Sequence, residues 1–266
     1  MQTRPSPDPS RPVLLCLGGH DPVGGAGIQA DIETIAALGG HTASAITCLT
    51  VQDSRNVRAL HPVAARLFRD QAEAVLGDMA VAAIKIGLIG DAALVPVIAE
   101  LLRRHPDVPV VLDPVLAAGG GSNLARDDLL AAIRAQLLPL TDLLTPNLAE
   151  ARRLTGLDTA DDCAAALQAA GARCVLLTGT DEVEDELQVI NRLYCPDGKN
   201  EHWHWPRLPH SYHGSGCTLA SACAALLAHG LDMFDAVAQA QDFTYQSLQA
   251  GWRPGHGQHL PWRRSP

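Results

Sequence analysis

Aromatic side chains make up only 4% of this 266-residue chain, and lysine occurs just twice, at Lys85 and Lys199. With aromatics scarce and 47% of residues apolar, the core falls to Ala, Leu and Val. That composition suits helices packed on a parallel sheet better than a β-sandwich. The shortage of cations leaves a formal charge of -9. Proteins that bind a nucleic acid usually need a basic face to displace its counterions, so this charge argues against that partner. A small anion can still be held by a few N–H groups and one cation. No stretch approaches the ~18 uninterrupted apolar residues of a membrane span. The seven cysteines are odd in number and lack C-x-x-C spacing, so no disulfide or zinc framework is expected and a reducing cytoplasm fits.

Residues 1–12 contain four prolines and no apolar h-region, and read as a disordered leader rather than a signal peptide. From there the chain alternates. A short apolar run over 13–17 ends in Gly18-Gly19, a glycine loop follows through Gly27, and 28–38 has helical spacing. Strand patterns then fall at 43–51, 81–88, 108–112, 142–145 and 174–178, and helical ones at 63–76, 92–103, 127–137, 147–155 and 161–170. Two β-like pieces flank the turn Asp197-Gly198, and the small-residue-rich segments 216–228 and 233–248 read as helices. This order implies βαβ units and a mostly parallel sheet covered on both faces. With no linker inside 13–251, one domain is expected, and 252–266, with its basic Trp262-Arg263-Arg264, is expected to be a loose tail.

In open α/β sheets ligands sit beyond the carboxyl ends of the strands, and the polar and glycine positions cluster there. His213-Gly214-Ser215-Gly216-Cys217-Thr218 opens a long Ala-rich helix. Glycines let backbone amides converge, and the helix N-terminus adds partial positive charge, so the turn reads as an anion pocket. An ordinary Gly-Ser helix cap with a buried Cys behind it accounts for the same residues. The first glycine loop lacks both the dinucleotide and the Walker A spacing. Asp31 reads either as a solvated first-turn acid or as a substrate contact. Asp113-Pro114 and Thr145-Pro146-Asn147-Leu148-Ala149-Glu150 place oxygens at two further strand ends, suited to a hydrated Mg²⁺. Asn147 and Glu150 equally make a capping box. Lys85, between Ile84 and Ile86, is either a packed stem or a cation for the site.

Taken together, these segments resemble the ribokinase-like superfamily, and specifically the hydroxymethylpyrimidine/phosphomethylpyrimidine kinases of thiamine biosynthesis. The resemblance rests on Gly19-His20-Asp21-Pro22 with residues 24–31, Leu49-Thr50-Val51-Gln52, Lys85-Ile86-Gly87, Leu112-Asp113-Pro114-Val115, residues 145–150, and residues 213–219. It implies a three-layer α/β sandwich and ATP-dependent phosphorylation of 4-amino-5-hydroxymethyl-2-methylpyrimidine, then of its monophosphate. Gly19, Asp31 and Gln52 would hold the aminopyrimidine between Leu88 and Val115. Asp113, Asn147, Glu150, Thr178 and Gly179 would serve the nucleotide, Asn147 and Glu150 also Mg²⁺. Gly214, Ser215, Gly216 and Cys217 would cradle the transferring phosphoryl group, and a homodimer is usual. Two departures from the superfamily stand out. Cys217 replaces the Asp base of the sugar kinases and is expected to have a lowered pKa at its helix N-terminus. Thr178 stands where many relatives carry Lys. Pyridoxal kinase and a non-catalytic pyrimidine-binding protein are the alternatives on the same scaffold.

Overall fold

The computed structural model describes residues 11–116, 127–179 and 187–264. The chain begins with β1 (Val13–His20), α1 (Gly27–Ala37), β2 (His41–Gln52), β3 (Val57–Pro62), α2 (Ala65–Asp78) and β4 (Val81–Ile86). It continues with α3 (Val95–Arg103), β5 (Val110–Leu112), α4 (Asp127–Ala132), β6 (Leu143–Leu144), α5 (Leu148–Thr155) and α6 (Ala160–Ala169). The last elements are β7 (Cys174–Leu177), β8 (Gln188–Tyr194), β9 (Asn200–Pro206), α7 (Ser215–Ala228) and α8 (Met233–Gln249). The strands form one sheet in the order β3-β2-β1-β4-β5-β6-β7-β8-β9. The pairs from β2 through β7 are parallel, while β3, β8 and β9 join antiparallel at the two edges.

Leu14, Leu15 and Leu17 are all at most 1% exposed, because β1 lies mid-sheet and buries alternate side chains on opposite faces. Leu15 and Leu17 join the core beneath α2 to α6, while Leu14 and Cys16 join the core beneath α1, α7 and α8. Each such leucine contributes on the order of 2 kcal/mol by leaving water. The small residues of α7 have a tertiary reason. Ala220, Ala222, Ala224 and Ala225 are all fully buried, and α7 runs across β1, β4 and β5 between α1 and α8. Larger side chains would hold it off the sheet.

The expected mostly parallel sheet covered on both faces is present. Three details differ from the sequence reading. Residues 57–62 form β3, an antiparallel edge strand that the helical reading of 63–76 bordered without anticipating. Cys174, the first residue of β7, and Cys195, just past the end of β8, are joined by a disulfide with Cα atoms 4.4 Å apart; spacing along the chain could not reveal that pair, because the pairing of β7 with β8 brings it together. Finally, the segment beyond 251 is not loose: Trp252 pairs with Leu260, Tyr212 with His259, and Arg263 is 8% exposed. Residues 1–10 of the expected leader lie outside the described residues.

Candidate active site

A cavity of about 510 Å³ opens at the carboxyl ends of β1, β4, β5, β6 and β7. It lies where the chain reverses direction across the sheet, with β2 on one side of β1 and β4 on the other. A more open depression of about 910 Å³ beside Asp161, Tyr194 and His202 gathers none of the expected site residues.

Two glycine loops build the cavity's end wall. In the first, Asp21 is 2% exposed and accepts hydrogen bonds from the amides of Val23, Gly25 and Ala26 at 2.8–3.0 Å. His213 Nε2 lies 2.9 Å from the same carboxylate and ties it to the second loop. Burial alone would raise the Asp21 pKa, but the contacts from His213 and these amides outweigh it and lower the value. Glycine is required at two points of close approach. Gly27 has φ +57° and a Cβ there would stand 2.3 Å from the Gly19 carbonyl oxygen; Gly214 has φ +85° and a Cβ would stand 1.9 Å from that of Gly25. No other residue lets these loops nest.

The N-cap of α7 is Gly214, which has no side chain to cap the first turn. Gly214, Ser215, Gly216 and Cys217, at the start of the 14-residue helix, all line the cavity. That is the position from which helix N-terminal amides can hold an anion.

Behind this turn lies a buried charge cluster. Lys85 Nζ is 2.8 Å from Asp31 Oδ1, their side chains 1% and 0% exposed, and Ser221 Oγ donates to the same oxygen at 2.6 Å. Asp31 therefore lies beneath the cavity wall and is not among its lining residues. The residue expected to contact substrate is thus held at Oδ1 by Lys85 of β4 and by Ser221. Burial opposes the charge on Lys85, but Asp31, Cys217 and Asp113 outweigh it and raise its pKa. The lowered pKa expected of Cys217 is corrected. Burial, reinforced by Asp113 and Asp31 against the opposing Lys85, pushes its thiol up to about 12 rather than down. Asp113, to which Cys217 hydrogen-bonds, is raised by burial to about 6, with Lys85 acting against the shift and Asp31 adding to it.

Asn147 and Glu150 form the capping box of α5, with Asn147 Oδ1 accepting from Glu150 N at 2.7 Å and Glu150 Oε2 accepting from Asn147 N at 3.0 Å. Both also line the cavity, so the two sequence readings coexist. Gln52, Leu88, Val115, Gly19 and Thr178 line it as well, whereas Gly179 does not. The amide of Gly179 instead donates to Asn191 Oδ1 at 3.2 Å. Asn191 Nδ2 then donates to Gln241 Oε1, which also accepts from Trp205 Nε1. Trp205 stands 4.9 Å from the Tyr245 ring, centroid to centroid. These residues continue the cavity past β7, and sequence reading missed them. An aromatic pair on a β8–β9 hairpin and a late helix carries no local motif. The structure brings Gly19, Gln52, Leu88, Asp113, Val115, Asn147, Glu150, Thr178 and the 214–217 turn to one cavity and leaves out Asp31 and Gly179.

A mostly parallel sheet with helices on both faces and a cavity beyond its strand ends is the build of the ribokinase-like kinases, and solved structures agree. The chain aligns with the ADP complex of Bacillus subtilis pyridoxal kinase at a TM-score of 0.86 and 27% identity, covering 96% of this chain and 98% of that one. With phosphomethylpyrimidine kinase from Clostridium difficile the TM-score is 0.77 at 29% identity, covering 90% and 99%. The family model for phosphomethylpyrimidine kinase matches residues 21–262. The hydroxymethylpyrimidine/phosphomethylpyrimidine kinase of Streptomyces coelicolor is 38% identical over 262 residues, covering 96% of this chain and 95% of that protein. The chain belongs to the phosphomethylpyrimidine kinase family.

Proposed function

We propose that this kinase transfers the γ-phosphoryl group of ATP first to the hydroxyl of 4-amino-5-hydroxymethyl-2-methylpyrimidine and then to the resulting monophosphate, giving the diphosphate used for thiamine. The observation that carries the reading is the glycine-capped N-terminus of α7, whose first residues line the same cavity as Asn147 and Glu150. Amides there can hold the transferring group without reorganising as charge develops. The aminopyrimidine lies against Gly19, Gln52, Leu88 and Val115, where two apolar side chains take the ring face and an amide takes a polar edge. Thr178 and the Trp205 side of the cavity take the nucleotide.

A nucleotide phosphate chain is normally carried with Mg²⁺, and the donor set fits one. Asn147 and Glu150 offer hard oxygens on the cavity wall, suited to a hydrated ion held through its waters. Such an ion would neutralise phosphate charge.

In the first step the hydroxyl oxygen bonds to the γ-phosphorus as the bond to the ADP oxygen breaks, and the hydroxyl proton must leave. With its thiol raised to about 12, Cys217 is not a standing thiolate. It takes the proton at Sγ while its own S–H proton passes to Asp113, the carboxylate to which it hydrogen-bonds. In the second step the attacking phosphate oxygen is already ionised and no base is needed.

The test is turnover of ATP with the pyrimidine alcohol, its monophosphate, pyridoxal and pyridoxal phosphate, with products sorted by phosphate number. Phosphorylation of both pyrimidines is expected. Turnover of pyridoxal alone would move the assignment to the pyridoxal kinases, whose fold aligns so well. We also read the protein as a homodimer. Leu49 and Val51, 50% and 44% exposed on β2, give a second copy an apolar surface, and a monomeric sedimentation coefficient would refute that. No helix among the described residues is long and apolar enough to cross a membrane.

A further inference from the structure

Arg263 lies within four residues of the chain's end, yet its side chain is only 1% exposed. Each of its three guanidinium nitrogens has a partner. Nε donates to Thr218 Oγ1 at 2.9 Å, Nη1 meets Glu33 Oε2 at 2.9 Å, and Nη2 donates to the carbonyl of Gly25. Thr218 Oγ1 donates in turn to the carbonyl of Gly214 at 2.7 Å. One guanidinium thus grips a carbonyl of the first glycine loop directly and a carbonyl of the second through a hydroxyl. The fit is close: a Cβ on Gly214 would stand 3.0 Å from Arg263 Nη2.

The consequence concerns where the amides point. A peptide unit is planar and trans, so its C=O and N–H face opposite ways. The Gly214 carbonyl accepts both the Thr218 amide at 2.9 Å and the Thr218 hydroxyl at 2.7 Å; holding it toward Thr218 turns the Ser215 N–H the other way, and Ser215, Gly216 and Cys217 line the cavity. The hydrogen bond from Nε to Thr218 also polarises the one from Thr218 to Gly214. A permanent cation beside the first turn of α7 adds to the partial positive charge of the helix end. Its counter-ion, Glu33, is 54% exposed and so is well screened by water. Asp21 and His213 make a second tie between the same loops, but that tie leaves the Gly214 carbonyl untouched.

We infer that Arg263 is a positioning residue for phosphoryl transfer, clamping the two glycine loops and orienting the amides of the 214–217 turn from behind. The inference rests on the reading of that turn as the site of the transferring group. Lys85, the other buried cation described, belongs to Asp31; Arg263 belongs to the turn.

The experiment measures kcat and KM for the pyrimidine alcohol in the full chain and in Arg263→Ala, Arg263→Lys, Thr218→Val and Arg264→Ala. The alanine variant is also assayed with added guanidinium chloride at non-denaturing concentration against sodium chloride. Arg264 stacks on Trp262 at 4.1 Å and serves as the control, expected to keep full activity. For Arg263→Ala, kcat should fall on the order of tenfold to a hundredfold with little change in KM, since the loss is of transition-state orientation. Guanidinium, and not sodium, should restore part of it, and Thr218→Val, of nearly equal volume, should lose kcat in the same direction. Wild-type kcat in Arg263→Ala overturns the inference. So does a loss that guanidinium leaves unmoved together with a fully active Thr218→Val. A wild-type enzyme that ignores the pyrimidines overturns the functional reading instead, and the same assay reports it first.

Discussion

Replacing Lys85 by Met tests the buried charge cluster directly. Methionine keeps most of the stem's volume but removes the ammonium 2.8 Å from Asp31. Asp31 is then left 0% exposed with only Ser221 donating to it, and Asp113, 4% exposed, loses the cation that holds its pKa down. Removing one partner of a buried ion pair costs about 3–5 kcal/mol, because the surviving charge stays desolvated. For a chain of this size that corresponds to a fall in Tm on the order of 10 °C. Replacing both charges, as in Lys85→Met with Asp31→Asn, should recover much of the loss, since no unpaired charge remains. The loss should also depend on pH in a definite sense. The Asp113 carboxyl titrates higher in the folded protein, at about 6, than the 3.8 of an unperturbed one. Without Lys85 it titrates higher still. A raised carboxyl pKa favours folding when protonated and penalises it when ionised, so the deficit of Lys85→Met should be largest near pH 8 and shrink as pH falls through 6. Urea denaturation of the wild type and both variants at pH 5.5 and pH 8 measures this. A single-variant loss below about 1 kcal/mol, or a double variant whose losses simply add, would refute the pairing argument. A large rise in pyrimidine KM for Asp31→Asn without loss of stability would return Asp31 to substrate contact.

Cys217→Ala should lose phosphorylation of the alcohol far more than that of the monophosphate, as measured by initial rates with each; equal losses would leave the thiol a purely packing role. In the ligand-free enzyme, Cys217 should react with iodoacetamide well below the rate of free cysteine at pH 7.5, because its thiol ionises near 12; mass mapping of the alkylated site reads this out. Gly214→Ala should abolish turnover and lower Tm, since its Cβ would fall 1.9 Å from the Gly25 oxygen, and wild-type activity in that variant would contradict the loop geometry. Asn147→Ala should lose about 1 kcal/mol through the broken capping box and additionally raise KM for ATP; a stability loss with unchanged ATP kinetics would confine Asn147 to capping. Thiol titration of protein denatured without reductant should count five free cysteines rather than seven.

The alternation of strands and helices was legible because each element carries its own period, and the central strands read as unbroken apolar runs. The antiparallel edge strand β3 was not, since 57–62 is short and half exposed and its pairing with β2 depends on a neighbour. Of the site, the glycine turn before α7 was legible as an anion pocket because convergent amides at a helix start need only local sequence. The same residues serve as an ordinary helix cap, and the tertiary structure adds that they line a cavity. For Asn147 and Glu150 the two readings were never exclusive: the capping box is what holds both side chains at the cavity wall.

By itself the sequence determined the α/β class, the strand ends where ligands belong, and the glycine turn opening α7, all of which follow from local periodicity and backbone freedom. Tertiary structure alone decided who partners whom. Asp31 pairs with Lys85, 54 residues away, and Arg263 reaches back from the last residues to hold two glycine loops. Cys217 met burial and two carboxylates that reverse the shift expected of a helix N-terminus. The reason is common to all three. Charge and hydrogen-bond energies depend on the distance to a partner and on the water excluded around both, and neither quantity is written along the chain.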